Sequence, residues 1–300
     1  MFRKIFISAA VLLGINANAQ KSQIDWLKIR KYKVAELDHK VMETSALSLF
    51  SGRLFTINDS GNPAEIYEIS PKNGALLNTF FVENISNFDW EALTNDGEFF
   101  YIGDIGNNWG TRSDLAIYKI PISEVLDNQR IKVEKIKYNY PEQKQLIKSP
   151  NNNDFDAESL VYMDNALHLF TKEWVSYKTT HYKIPINAEK ETIPAEKLED
   201  YNLGYLATEA AYFDNLLYII GYTKKMEIYL SVFNKNEKGL FFSQKPEKYF
   251  LGMATALGQV EGISVDETGI YISAERFKKR PFNVPQTLYF IPKNKLKIGK

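Results

Sequence analysis

Short apolar runs separated by turn residues recur along this chain, and no segment sustains a helical period. The runs follow one order: a glutamate, a small or hydroxyl residue, an apolar stretch, a tight turn, then an aromatic-rich strand. They read ETSALSLFSGRLFTINDSG from Glu43, EALTNDGEFFYIGDIGNN from Glu91 and ESLVYMDNALHLFTKEW from Glu158. EAAYFDNLLYIIGYTKK from Glu209 and EGISVDETGIYISAERF from Glu261 complete the set, with successive glutamates 48, 67, 51 and 52 residues apart. A period near fifty residues matches one four-stranded propeller blade.

Each repeat predicts a strand A from its Glu, a turn rich in Gly, Asn and Asp, and a strand B such as FTIN, FYIG, LHLF, LYII or IYIS. A third strand, usually centred on Tyr, and outer strands at Leu76–Val82 and Ile131–Tyr138 complete the pattern. The last repeat has no fourth strand of its own, and Ile29–Leu37 precedes the first repeat without a partner. Pairing these two leftovers closes a ring of five blades and removes two exposed sheet edges. A six-bladed ring is the alternative, but the wider gap before Glu158 has too few spare residues for another sheet. Those residues, PEQKQLIKSPNNNDFD at 141–156, read as a loop. The expected architecture is all-β, a single five-bladed propeller over residues 20–300.

Residues 1–19 are set apart from that reading. Arg3 and Lys4 precede an apolar run from Ile5 to Ile15, and Ala17-Asn18-Ala19 offers small residues to a signal peptidase. A cleaved leader is expected, and with it export to a periplasm or the cell exterior. No other run approaches the length of a membrane span. The chain has no cysteine, which excludes disulfides, thiolate chemistry and thiolate metal sites. Its 37 basic and 37 acidic residues give no basic face for nucleic acid. The 19 Phe and 18 Tyr favour pleated, half-buried surfaces, as the strand pattern requires.

Candidate chemistry follows from the repeat. Glu43, Glu91, Glu158, Glu209 and Glu261 open their A strands and are expected to ring one mouth of the central channel. Reflected through the turns, they meet Asp59, Asp104, Lys172, Tyr222 and Glu275 on strand B. Converging carboxylates cannot all stay ionised without compensation. Calcium would compensate them, with Glu91, Asp104, Glu158 and Asp59 as first candidates and Asn58, Asn62 and Asn107 nearby. Counter-charges from Arg112, Lys172, Lys183 and Arg276 are a second solution. A structural clamp, each Glu accepting backbone N–H groups of the next blade, is the third. Trp109, Trp174 and Arg276 over such a mouth suit a sugar, a phosphate ester or a peptide.

His39, His168 and His181 show no metal-ligand spacing, and no nucleophile elbow, P-loop or dinucleotide fingerprint is present. The runs ETSALSLFSGRLFTINDSGNPAEIYEIS, DWEALTNDGEFFYIGDIGNN and LAIYKI resemble the secreted propellers classed as SdiA-regulated or phytase-like. Asp89-Trp90-Glu91, Asp156-Ala157-Glu158 and Val260-Glu261-Gly262 match the acidic step of that family. The resemblance implies a propeller and, from its phytase-like members, calcium held by Asp/Glu clusters at one face. Those members have six blades, one more than this sequence offers. Two function classes follow: a secreted propeller binding a small-molecule, glycan or peptide ligand at its acidic mouth, with calcium; or a metal-assisted hydrolase of phosphate or carboxylic esters or of glycans.

Overall fold

The computed structural model describes residues 24–127, 133–186 and 191–296; the expected leader lies outside them. Consecutive strands joined by tight turns pair antiparallel, and the turn chemistry shows why. Asp164-Asn165 and Asp214-Asn215 hold positive φ at both positions, as do Ser51-Gly52. That backbone matches the twist of the strands it joins, and Asn, Asp and Gly tolerate it.

Strands A to D of blade 1 are Ser48–Phe50, Arg53–Thr56, Glu65–Ile69 and Leu76–Phe81. Those of blade 2 are Trp90–Asn95, Phe99–Asp104, Ala116–Pro121 and Glu134–Asn139. Blade 3 has Asp156–Met163, Ala166–Lys172, Lys178–Pro185 and Glu196–Asn202. Blade 4 has Leu206–Phe213, Leu216–Tyr222, Glu227–Asn234 and Glu247–Met253. Blade 5 supplies Gln259–Val265, Gly269–Glu275 and Thr287–Pro292, and its strand D is Lys33–Glu36 from the other end of the chain. That strand runs antiparallel to strand C, with Glu36 opposite Thr287. The expected closure is therefore present, and the inner strands neighbour one another in order, the last beside the first.

Five apolar clusters fill the five blade interfaces. Phe55 and Ile66 of blade 1 meet Leu93 and Phe100 of blade 2, and Tyr101 and Ile117 meet Leu160 and Leu167. Val161 and Phe170 meet Ala210 and Leu217, and Ile220 and Leu230 meet Ile263 and Ile272. Leu288 and Leu37 of blade 5 close on Leu54 and Tyr67 of blade 1. Each fully buried large side chain contributes about 1.5–3 kcal/mol. One interface per blade rules out the six-bladed alternative.

Three small elements lie outside the repeat pattern. Ile24–Trp26 adds a parallel strand to the edge of blade 4, and Ile193–Pro194 does the same for blade 2. A hairpin, Phe277–Lys279 with Phe282–Val284, projects between strands B and C of blade 5. All A strands start, and all B strands end, at one face, called the upper face below. At the opposite mouth the inner strands of all five blades line a cavity of about 400 Å³, with Leu49, Thr94, Tyr162, Tyr212 and Ser264 among its walls.

Candidate cation and ligand site at the channel mouth

The backbone decides which repeat glutamates are equivalent. In blade 2 pairing passes from Trp90–Asp104 to Ala92–Gly103, so Glu91 bulges out of the ladder. Glu158 bulges in the same way in blade 3 and Glu261 in blade 5. In blade 4 the bulge falls on Thr208, and Glu209 sits one residue later, paired with Ile220. Counted back from the two-residue turn, the matching residue in blade 1 is Ser45. The expected ring of five glutamates is therefore a set of three, completed by two hydroxyl residues. Glu43 lies two positions early, exposed, and accepts from Asn62 Nδ2 at 2.6 Å. Thr208 Oγ1 donates to the Val260 carbonyl across the blade interface at 2.7 Å, and Ser45 Oγ donates to Glu91 at 3.3 Å.

Glu91, Glu158 and Glu261 are 4%, 4% and 6% exposed, and Lys172 is 4% exposed among them. Lys172 reaches in from the end of strand B in blade 3 and pairs with Glu158. Its ammonium lies 4.8 Å from the Trp174 ring centre and 5.6 Å from that of Tyr222. It also acts electrostatically on Asp59, Glu91, Asp156, Glu261 and Glu275. One ammonium therefore serves six carboxylates. Burial alone would drive its proton off, but the surrounding acids outweigh burial and raise its pKa.

The carboxylates answer in the other direction. Burial, then repulsion from Asp59, Glu158 and Asp89, pushes Glu91 well up, while Lys172 opposes the shift. Glu158 is pushed well up despite its ion pair, because burial outweighs Lys172. Asp89 rises to about 7 and Glu275 to about 8, each mainly through burial and then the charge of Asp59. Asp104 is also raised by burial, but it has its own counter-charge. It is paired with Arg112 at 2.8 Å and accepts from Tyr118 Oη at 3.3 Å.

Asp59, Asp89 and Glu91 bring three carboxylate oxygens within 4.8 Å of one another. Of the four residues expected to form a cation site, Asp59 and Glu91 are here, whereas Asp104 is held by Arg112 and Glu158 by Lys172. Two features of the GDIGNN turn shape the trio. Ile105 and Gly106 donate their N–H groups to the Asp89 carbonyl, each at 3.2 Å. Gly106 then leaves room that a β-carbon would fill, since that atom would overlap the Asp89 carboxylate and crowd Glu91. The donor set is all oxygen. Oxygens this close together can be ligands of one calcium ion with bonds of about 2.3–2.6 Å.

The other sequence candidates serve mainly as scaffold. Asn107 Oδ1 accepts from the Arg112 N–H at 3.0 Å and its Nδ2 donates to Phe155 O at 3.1 Å. Asn58 Nδ2 donates to Lys40 O at 2.7 Å, while its buried Oδ1 has no partner among the described residues. Trp174 Nε1 donates to Asp156 at 2.7 Å, placing its ring over Lys172. Arg276 is exposed and turned toward Met42. Glu209 accepts from the Ala210 N–H at 2.9 Å. The Leu160 N–H of the adjacent blade also favours its charged form.

Asp89 and Asp156 were not among the candidates, although the signal was present. Each precedes its repeat glutamate by two residues, in DWE and DAE.

No family model and no curated protein matches this chain. Among solved structures it is similar to Kuenenia stuttgartiensis hydrazine synthase, at 11% identity and a TM-score of 0.40 over 84% of this chain. The match spans 63% of that longer chain. It is also similar to the β-propeller domain of Myceliophteria thermophila Cps50 (Swd1), at 8% identity and a TM-score of 0.38 over 83% of each. Neither likeness bears on the chemistry of the mouth; the described residues form a five-bladed β-propeller.

Proposed function

We propose that this protein is an exported binding propeller of the SdiA-regulated or phytase-like kind, whose acidic mouth takes up calcium at Asp59, Asp89 and Glu91. The calcium and the surrounding Lys172, Trp174 and Tyr222 then present a polar, aromatic-lined seat to a small ligand. The observation that carries this reading is the trio over Gly106: three buried or half-buried carboxylates held together, with the one nearby ammonium among the described residues ion-paired to Glu158 and spread over the other acids. Without a cation, burial and mutual repulsion disfavour the charged forms of these groups; with one, each becomes an oxygen ligand. An affinity on the order of 10⁻⁴ M fits an exposed module of this kind.

Calcium titration followed by thermal melting and by calorimetry tests the proposal. The parent should gain stability as calcium rises, because a ligand that binds only the folded state stabilises it. Asp89→Asn should lose that gain, whereas Glu43→Gln should keep it. A parent whose melting ignores millimolar calcium would refute the site.

A further inference from the structure

Eleven large apolar side chains are exposed among the described residues. Four lie on outer strands: Ile24 and Trp26 beside blade 4, and Leu77 and Phe81 on blade 1. The other seven all belong to loops or strand ends of the upper face, and none lies at the opposite mouth. Phe88, Trp109, Ile147 and Val175 are 66%, 52%, 63% and 54% exposed, and Phe282 at the hairpin tip is 43% exposed. Seven exposed apolar tips thus share one face, while the opposite mouth has none among the described residues.

Charge on the same rim selects the partner. Lys148 lies 4.1 Å from the Trp109 ring centre, and Lys224 lies 5.1 Å from that of Tyr177. Lys278, Lys279 and Arg280 are exposed on the hairpin. None of these five cations has a carboxylate partner among the described residues. Three acids of the face are turned to their own chain, while Glu36 and Glu83 are exposed there and are outnumbered by the five cations. Asp114 accepts from Arg112 at 3.0 Å, Asp154 from the Val175 N–H at 2.9 Å, and Glu142 from Tyr182 Oη at 3.3 Å. The acids of the channel are recessed below the rim.

We propose that the upper face docks on an anionic lipid surface. The apolar tips sit on loops spread around the ring, from the blade 1–2 connection to the blade 5 hairpin, so a flat and yielding partner touches them together. Lipid headgroups supply negative charge to the rim cations, and the headgroup boundary accepts Trp109, Ile147 and Phe282. This surface rims the mouth that holds the calcium trio, but its apolar and cationic contacts do not require the cation.

Co-sedimentation with vesicles in the presence of a calcium chelator tests it. The protein should bind phosphatidylcholine vesicles containing phosphatidylglycerol, leave pure phosphatidylcholine vesicles unbound, and release as salt rises. Lys278→Glu/Lys279→Glu/Arg280→Glu should weaken binding about a hundredfold or more. Trp109→Ser/Ile147→Ser should weaken it about tenfold or more, with melting curves confirming that both variants fold. Absence of binding to the anionic vesicles at low salt would overturn the proposal, as would binding that neither variant reduces. Equal affinity for soluble heparin, unmoved by Trp109→Ser/Ile147→Ser, would assign the rim to an acidic macromolecule and also overturn it.

Discussion

Gly106 lies so close against the Asp89 carboxylate that no side chain fits between them. Gly106→Ala must therefore push Asp89, and Glu91 beside it, out of position. The expected result is a calcium affinity lowered about tenfold or more, with overpacking costing about 1–3 kcal/mol of metal-free stability. Calorimetry and denaturant melts read the two effects separately. Unchanged calcium binding in this variant would show that the trio is not the site.

Lys172 and Glu158 form a buried pair inside a field of further acids. Lys172→Met removes the one ammonium and should cost about 3–5 kcal/mol, the range for stranding a buried charge. Lys172→Met/Glu158→Leu should recover much of that loss, because the stranded partner leaves as well. Urea denaturation measures both, and a single variant as stable as the double would refute the pairing.

Glu209 tests a different role at a look-alike position. Its carboxylate accepts a backbone N–H from Ala210, and burial raises its pKa well above the usual range. Glu209→Ala should destabilise the ring by about 1–3 kcal/mol, since a buried donor loses its acceptor. Calcium-induced stabilisation should persist in that variant. Stabilisation of the metal-free protein by this substitution would instead place Glu209 among the repelling acids.

Stability should depend on pH with a sign set by the mouth. Asp89 is raised from 3.8 to about 7 and Glu275 from 4.5 to about 8 in the folded state. A carboxyl with a raised folded pKa contributes stability that is full below its unfolded pKa and lost as pH climbs through the folded one. Metal-free melting temperature should therefore fall between about pH 4 and pH 8 from these groups. Calcium should flatten or reverse that slope. His168, buried beside His181 and lowered to about 3, adds an opposite limb. Its contribution is present above about pH 6.5 and lost on acidification. Melts across this range with and without calcium resolve the two limbs, and a metal-free curve flat from pH 4 to 8 would contradict the buried acids.

Deletion of residues 20–38 removes strand D of blade 5 and the parallel strand on blade 4. The whole ring should lose stability, since Leu37 leaves the last blade interface with it. A deletion variant that melts like the parent would show that closure matters little.

The fold was legible because each blade repeats both its turn chemistry and its apolar pattern, so even the missing fourth strand of blade 5 could be located. Ile24–Trp26 and Ile193–Pro194 were not legible, being too short to carry a pattern. The site was read less well for a physical reason. Alignment by the letter Glu equated Glu209 with Glu158, but a β-bulge moves a side chain by one place without altering the surrounding residues. The bulge at Thr208 thus hid a hydroxyl in a position expected to be acidic. Asp89 and Asp156 were visible in the motif, yet their proximity to the mouth depends on how each chain enters its inner strand.

The strand that completes blade 5 comes from the start of the chain and its partner from the end. During synthesis, residues 33–36 must wait for residues 287–292 before either finds its place. Four blades can pair locally as they emerge, but the final seam joins residues 33–36 with residues 287–289, across the length of the other four blades. Such long-range closure is slow relative to local hairpin formation. The last seam to form is also the one whose failure leaves an open sheet edge in blade 5 and exposes the apolar interface with blade 1. A chain truncated by even its last strand would hold that edge open permanently, a ready target for pairing with other unfinished chains.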